Sequence, residues 1–307
     1  QSSRGLGDVY KRQEGTSISL IGIDKNYHSK RNNFFAFWLT DWMKDFDSLA
    51  QKKWFCWNFY LTNNHIKHET KDLPYCTIRY QDWKNYCLKG LENLSIKEFN
   101  VQSITNLKKY YEIKLENGEE IFAKKIYDSR TPKSENKRLK QHFFGYLIET
   151  KQMINSNSVT LMDFRVEQKM GLHFMYCLPI DENRMLVEST VFSSEIQEDA
   201  WYQKQILEYI ETKLNLSEYK IVDEEKGALP MYDIENKSSE NYINIGSRGG
   251  ATKISTGYAF SFFLKNIMLN FENINKAHHS YFDKWMDKVF VNYLKNNSGS
   301  EKVFINM

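Results

Sequence analysis

Alternation of apolar and polar residues predicts strands through the middle of this chain. VTLMDFRVEQ (159–168), HFMYCLPI (173–180) and MLVESTVF (185–192) are three consecutive strand-like segments. Earlier, YYEIKL and EEIFAKKIY flank Glu116-Asn117-Gly118, and Asn-Gly between alternating segments predicts a hairpin over Tyr110 to Ile126. Lys52 to Leu61, Cys76 to Tyr80 and Tyr219 to Val222 are also strand-like. Helical spacing predicts helices over Gln81 to Leu91 and over Glu195 to Leu214, where Ile206, Tyr209, Ile210 and Leu214 share a side. Asn33 to Ala50 is rich in aromatics and predicts a loop followed by a helix. SISLIGID (17–24) is a short apolar run closed by Asp24. A parallel strand ends this way where its acid meets a ribose hydroxyl, and a plain turn residue would give the same pattern. Helices first, then a sheet, then a glycine loop opening a helix imply a mixed α/β fold with an inserted antiparallel domain.

Two places carry candidate chemistry. In IGSRGGATKISTGYAFSFF (245–263), Gly246, Gly249 and Gly250 permit close backbone approach and positive φ. Ser255 or Thr256 is placed to cap the helix that follows, whose N-terminus would attract an anion, and Lys253 adds a full charge. A plain strand-to-helix turn would use the same glycines. In MLVESTVF, period two puts Leu186, Glu188, Thr190 and Phe192 on one face. A carboxyl beside Leu and Phe has its pKa raised by lost solvation, and one protonated near neutral pH can serve as a general acid. An edge-strand Glu reaching solvent is the alternative.

Composition narrows the function classes. The 307 residues are 41% hydrophobic and 26% charged, which fits a globular protein with a large core. Aromatic content is 15%, high enough to need a use, and the +3 formal charge is too small and dispersed for a nucleic-acid footprint. Cys56, Cys76, Cys87 and Cys177 form no C-x-x-C pair and are expected to be reduced thiols. His65 and His68 lack a third ligand, so no metal site is expected. Asp163 and Arg165 alternate with Met162 and Phe164, as in a half-buried strand. No apolar run approaches the roughly 20 residues of a membrane span; Tyr258 to Phe271 is broken by Lys265 and Asn266 and predicts a buried or amphipathic helix.

LMDFRVEQ, FMYCLP, MLVESTVFS, EEKGALPM and IGSRGGATKISTGYAF follow one another here in an order and spacing that closely resemble the bacterial lycopene β-cyclase family. QHFFGYLIET (141–150) and YDSRTP (127–132) add to the resemblance, which runs from about Ser17 to the C-terminus. It implies an FAD-dependent isomerase with a discontinuous Rossmann-like FAD domain, using the flavin in its reduced form with NAD(P)H as reductant only. It implies that Asp24 contacts the adenosine ribose. Gly246, Gly249, Gly250, Lys253, Thr256 and Gly257 are implied to form the second FAD contact, and Glu188 to be the catalytic acid. Trp38, Phe144 and Tyr146 are candidates for the pocket of an apolar polyene. Two departures stand out. RNNFFAFW (31–38) keeps only Phe37 and Trp38 of the family's N-D-R-T-W-C-F-W-like run, and Ser189 replaces the second acid of E-D-T or E-E-T.

The family's first FAD contact, a G-x-G-x-x-G loop, is expected before Ser17, where none stands; QSSRGLGDVYKRQ (1–13) resembles a translated library adapter, so both ends are expected to be cut. The expected domains are 14–132 with 236–271 for FAD, 133–235 for substrate, and a C-terminal helical part over 272–307. Cyclisation of a ψ end group to a β ring starts with a proton on a terminal alkene, a very poor base, so the acid must be strong and the pocket dry. Aromatic faces, worth about 0.5–2 kcal/mol each, and a fixed anion would stabilise the cation. A carotenoid substrate implies peripheral contact with the inner face of a membrane. A related FAD-dependent monooxygenase, which would need oxygen, and a non-catalytic carotenoid-binding fragment are the competing expectations.

Overall fold

The computed structural model describes residues 19–29, 33–130, 137–234, 237–270, 278–296 and 299–305. The adapter-like segment 1–13, the start of SISLIGID, Arg31 and Asn32, and the boundaries expected at 132/133, 235/236 and 271/272 lie outside them. In chain order the first strands are β1 (Leu20–Ile23), β2 (Phe34–Trp38), β3 (Lys52–Trp54), β4 (Cys56–Leu61), β5 (Asn64–Glu69) and β6 (Tyr75–Arg79). Next come β7 (Leu94–Lys97), β8 (Val101–Asn106), β9 (Tyr111–Leu115), β10 (Glu120–Ala123) and β11 (Ile126–Asp128). The later strands are β12 (Lys140–Thr150), β13 (Val159–Asp163), β14 (Leu172–Pro179), β15 (Arg184–Ser193), β16 (Tyr219–Pro230) and β17 (Tyr242–Asn244). The helices are α1 (Tyr80–Leu88), α2 (Asp199–Thr212), α3 (Phe260–Asn270) and α4 (Tyr281–Asn296), and a 3₁₀ segment spans Asp41–Leu49.

The fold is mixed α/β around a seven-stranded sheet of order β16-β12-β15-β14-β13-β4-β5. Its long central strands alternate as the sequence predicts, and their two faces enter different cores. Phe144, Tyr146, Ile148, Met175, Cys177, Val187 and Val191 pack on Tyr202, Ile206, Tyr209 and Ile210 of α2. Each such side chain contributes about 1.5–3 kcal/mol through apolar area removed from water. The opposite face meets a three-stranded sheet, β2-β6-β3, through Trp54, Tyr75, Leu178, Leu186 and a rim of aromatics.

Two parallel pairs lie apart from this sheet. β1 pairs with β7, and β11 pairs with β17. The chain therefore leaves β11, builds β12 to β16, and returns beside the strand it left. The segment expected at 133–235 supplies five strands of the large sheet, while β4 and β5 come from residues 56–69. Ile23, Ile126 and Tyr242 pack into one cluster with Tyr111, Ile113, Leu115 and Ile121, which ties both parallel pairs to the β8–β10 sheet.

Three local expectations change. Phe34–Trp38 is a strand, not a loop, because antiparallel pairing with β6 fixes it and its two faces pack, at least in part, into two apolar clusters. The strand beginning at Tyr219 runs to Pro230; it is an edge strand, so its open face carries charges that break the apolar pattern. Asp163 is fully buried rather than half-buried: Arg165 donates to both of its oxygens, and Tyr209 donates to Oδ2 at 2.7 Å.

Candidate active site

Glu188 lies in the middle of β15, 7% exposed, on the face that meets the three-stranded sheet. Directly opposite it are Tyr176 on β14 and Gly145 on β12. The Thr190 hydroxyl donates to Glu188 Oε1. Burial raises the Glu188 pKa well above the usual carboxylate range, the charge of Glu225 raises it further, and the Thr190 hydrogen bond partly offsets both. The solvent-facing alternative is therefore excluded by position. The β-strand period explains the placement, since even-numbered residues of MLVESTVF share this face.

Glu225 is the residue that sequence reasoning missed. It stands on β16 opposite Gly145, so Glu188, Gly145 and Glu225 form one row across three strands. A Cβ on Gly145 would lie 3.3 Å from Leu186, 3.4 Å from Glu188 Cβ and 3.4 Å from Glu225 Cγ. A side chain at this position would press on Leu186 and stand between the two glutamates. Asn33 Nδ2 donates to Glu225 Oε2 at 2.8 Å. Burial raises the Glu225 pKa, the Asn33 bond opposes that, and Asp223 adds to it. A glycine inside a long alternating strand marks close approach, and that signal was present in HFFGYLIE. An open depression of about 210 Å³ adjoins the pair, lined by Asn33, Phe34, Leu147, Leu186, Asp223, Glu224 and Glu225.

Aromatics enclose the same face. Tyr75 and Tyr176 share a hydroxyl–hydroxyl bond of 2.7 Å, and Tyr258 lies 3.4 Å from Tyr75. Burial raises all three phenol pKa values, so these hydroxyls stay neutral. Trp38 packs on Trp57 at 4.4 Å and Tyr75 at 4.8 Å. Trp38 therefore joins the Glu188 side. Phe144 and Tyr146 do not: they flank Gly145 in sequence, so they point to the opposite face and fill the α2 core. Their expected place in a pocket with Glu188 is corrected on that ground. Ser189 also faces α2, where His173 Nδ1 donates to Glu167 O and its Nε2 accepts from Ser189 Oγ at 2.9 Å. Burial holds His173 neutral, with a pKa near 4. Replacement of the second acid by Ser189 thus leaves the Glu188 face unchanged.

The glycine loop follows β17. Gly246, Gly250 and Gly257 have φ of 59°, 83° and 74°. Nothing lies within 4 Å of a Cβ built on Gly246 or Gly250, whereas Gly249 is pressed against the Asn244 carbonyl. Gly257 lies against the Gln141 amide, and both Gln141 Oε1 and Thr256 Oγ1 are buried without a hydrogen-bond partner. A cleft of about 330 Å³ opens beside Ser247, Gly250 and Thr252. Open space above positive-φ glycines and orphaned polar atoms beside Gly257 fit a polar cofactor edge. Two expected roles are corrected. Ser255 does not cap the helix, which starts only at Phe260; it donates to Asp287 at 2.7 Å. Lys253 pairs with the same carboxylate at 2.7 Å, so its charge is already compensated.

Asp24 ends β1 as expected, with Oδ1 accepting from Asn26 N. The loop itself is anchored by Asp128, at the end of β11. Arg130 and Tyr242 donate to Asp128, and Arg248 of the loop lies 3.2 Å from its Oδ2 while donating to Asn244. Burial raises the Asp128 pKa, but these bonds outweigh burial and lower it to about 2. Among the described residues no cluster of His, Cys, Asp or Glu could hold a metal ion.

The model of the family described as lycopene cyclase protein matches residues 9–284. The chain belongs to the lycopene cyclase family. No curated protein matches it. Solved structures match at low identity. A geranylgeranyl bacteriochlorophyll reductase-like protein from Thermoplasma acidophilum is 10% identical, with TM-score 0.60 over 94% of this chain and 76% of that one. The flavin-dependent brominase Bmp2 is 13% identical, with TM-score 0.55 over 90% and 78%. A flavin-dependent halogenase from Xanthomonas campestris, Xcc4156, is 8% identical, with TM-score 0.58 over 94% and 71%. These likenesses establish a shared fold. Within the family, the face holding Glu188 and the loop holding Gly257 become parts of one arrangement: Tyr258, next to Gly257, belongs to the cluster that covers Leu186 and Tyr176.

Proposed function

We propose that this protein is a lycopene β-cyclase that closes ψ end groups to β rings by proton-initiated carbocation chemistry, with no net redox change. The observation that carries this reading is Glu188, a buried carboxyl of raised pKa on an aromatic-covered face, in a chain of this family. Thr190 holds Oε1, so Oε2 carries the transferable proton. That proton passes to the terminal alkene carbon. The neighbouring double bond then forms the ring C–C bond, and the ring cation loses a proton back to the Glu188 carboxylate. Atoms and electrons balance without an oxidant. Trp38, Tyr75 and Tyr176 exclude water and present π faces to the cation.

Discontinuous FAD-binding elements are part of this reading. The open glycines at 246 and 250, Thr256 and Gln141 would hold the cofactor, and Asp24 would hold its ribose end. Reduced FAD, when bound, would supply a fixed negative charge that favours a carbocation. Flavin dependence in the names of two structural neighbours supports this choice. Expression in lycopene-accumulating cells tests the reading: β- or γ-carotene is the expected pigment. Unchanged lycopene from folded, flavin-loaded protein would overturn it.

The proposed substrate dissolves in a bilayer, so the protein should bind its surface. No described helix is long and apolar enough to cross a membrane. The solvent side of α4 carries Tyr281 (87% exposed), Phe282 (66%), Trp285, Met286, Val289 and Tyr293, one stripe at helical spacing. Lys295 borders it together with Lys284 and Lys288, which share the carboxylate of Asp233, leaving a net positive border that suits an anionic lipid surface. Full-length chain should sediment with anionic phospholipid vesicles. Phe282→Glu with Trp285→Glu should weaken that partition by about tenfold or more. A wild-type chain that stays in the supernatant would remove membrane docking from the reading.

A further inference from the structure

The row Glu188–Gly145–Glu225 has a use that the acid role of Glu188 alone does not require. Three observations single it out. Gly145 lies between the two side chains: a methyl there would touch both glutamates and Leu186. Glu225 is held by a specific donor, Asn33 Nδ2 at 2.8 Å, from a segment 192 residues away in sequence. Glu188 is held by its own donor, Thr190, two residues along the same strand. Each carboxyl thus has one oxygen tied down.

We infer that Glu225, standing in the same row as Glu188 on the far side of Gly145, is a positioning residue for the proton chemistry whose charge disfavours ionisation of Glu188. This rests on the reading of Glu188 as the proton donor. Burial is the first physical cause, and the charge of Glu225 beside Glu188 adds to it, so the proton on Glu188 leaves late. Asn33 donates to Glu225 and favours its charged form. Glu188 is then the member that keeps the proton, and Oε2 is free to deliver it. Facing Glu188 are Thr190 on its own strand, Tyr176 from β14 and Glu225 from β16. Facing Glu225 are Asn33 and, on β16, Asp223. Tyr75, from the three-stranded sheet, reaches Tyr176. None of these groups is a cation, so the repulsion is not cancelled locally.

Infrared spectroscopy of the full chain tests this directly, through the C=O stretch of the protonated carboxyls. The Glu188 band is assigned by its loss in Glu188→Gln. In Glu225→Gln, which keeps side-chain size, the pH midpoint of the Glu188 band should fall by about one unit or more. Glu225→Asp should restore much of the shift. A midpoint unchanged in folded Glu225→Gln would overturn the inference. Wild-type protein gives a second reading that needs no Glu225 variant: the two carboxyls should titrate in separate steps, and coincident titration at an ordinary carboxylate pH would also overturn it. The band does not depend on turnover. A shifted midpoint in a protein that leaves lycopene unchanged would therefore sink the cyclase reading and leave the pair standing.

Discussion

Glu188→Gln should abolish cyclisation, by about 10²–10⁴-fold or more, while the protein folds as well as before. The amide matches the carboxyl in size, and its oxygen can still accept from Thr190. What it lacks is the proton that Oε2 would deliver. Stability should move the other way. The folded pKa of Glu188 is raised above its unfolded value, so the folded state binds the extra proton. Its contribution is favourable at low pH and is lost as pH rises from the unfolded pKa through the folded one. Glu188→Gln removes that loss, so its melting temperature near neutral pH should equal or exceed the wild-type value. Wild-type activity should fall as pH rises through the same range, because the acid is then ionised. Pigment chromatography from lycopene-accumulating cells and a thermal melt of the same variant check both halves. Retained turnover in Glu188→Gln would take this residue out of the mechanism.

Much of this arrangement was legible in the sequence. The three strands from Val159 to Phe192, the Asn-Gly hairpin and the helix before Leu214 follow from local periodicity alone, and the structure forms each of them. The face of Glu188 followed from period two. What the sequence could not carry was register between strands. Glu225 sits opposite Gly145 only because β16 pairs with β12 across a shift near Leu147. No local pattern encodes that pairing, and β16 itself is masked by the charges of an edge strand. The same limit misplaced Phe144 and Tyr146: they belong to a matched motif, but alternation about Gly145 turns them to the α2 core. Lys253 looked like a free charge, and Ser255 like a helix cap, because their loop sequence said nothing of Asp287, which arrives from α4. Residues chosen by motif membership were thus less secure than residues whose face could be worked out.

Outside the Glu188 face, Asp128→Ala should destabilise the protein clearly. Asp128 is 4% exposed and accepts from Arg130 and Tyr242 while Arg248 lies against it. Removing it leaves two partly exposed guanidinium groups without their shared carboxylate, at a cost of about 1.5–3 kcal/mol. For a domain of this size that is a fall of roughly 5 °C in melting temperature. Its pH signature is specific. The folded pKa, about 2, lies below the unfolded value of 3.8. The stabilisation is therefore full above about pH 4 and is lost as pH falls through about 2, and Asp128→Ala should flatten that acid limb. Because Arg248 belongs to the glycine loop, the variant should also retain less flavin at temperatures where it remains folded. Asp163→Ala is the informative comparison. It breaks a similar buried pair, Asp163 with Arg165, on the side of the sheet that faces α2. It should lower the melting temperature by a comparable amount and leave flavin content unchanged. Equal flavin loss in both variants would mean that the loop responds to global stability, and that the Asp128–Arg248 contact has no particular part in holding it.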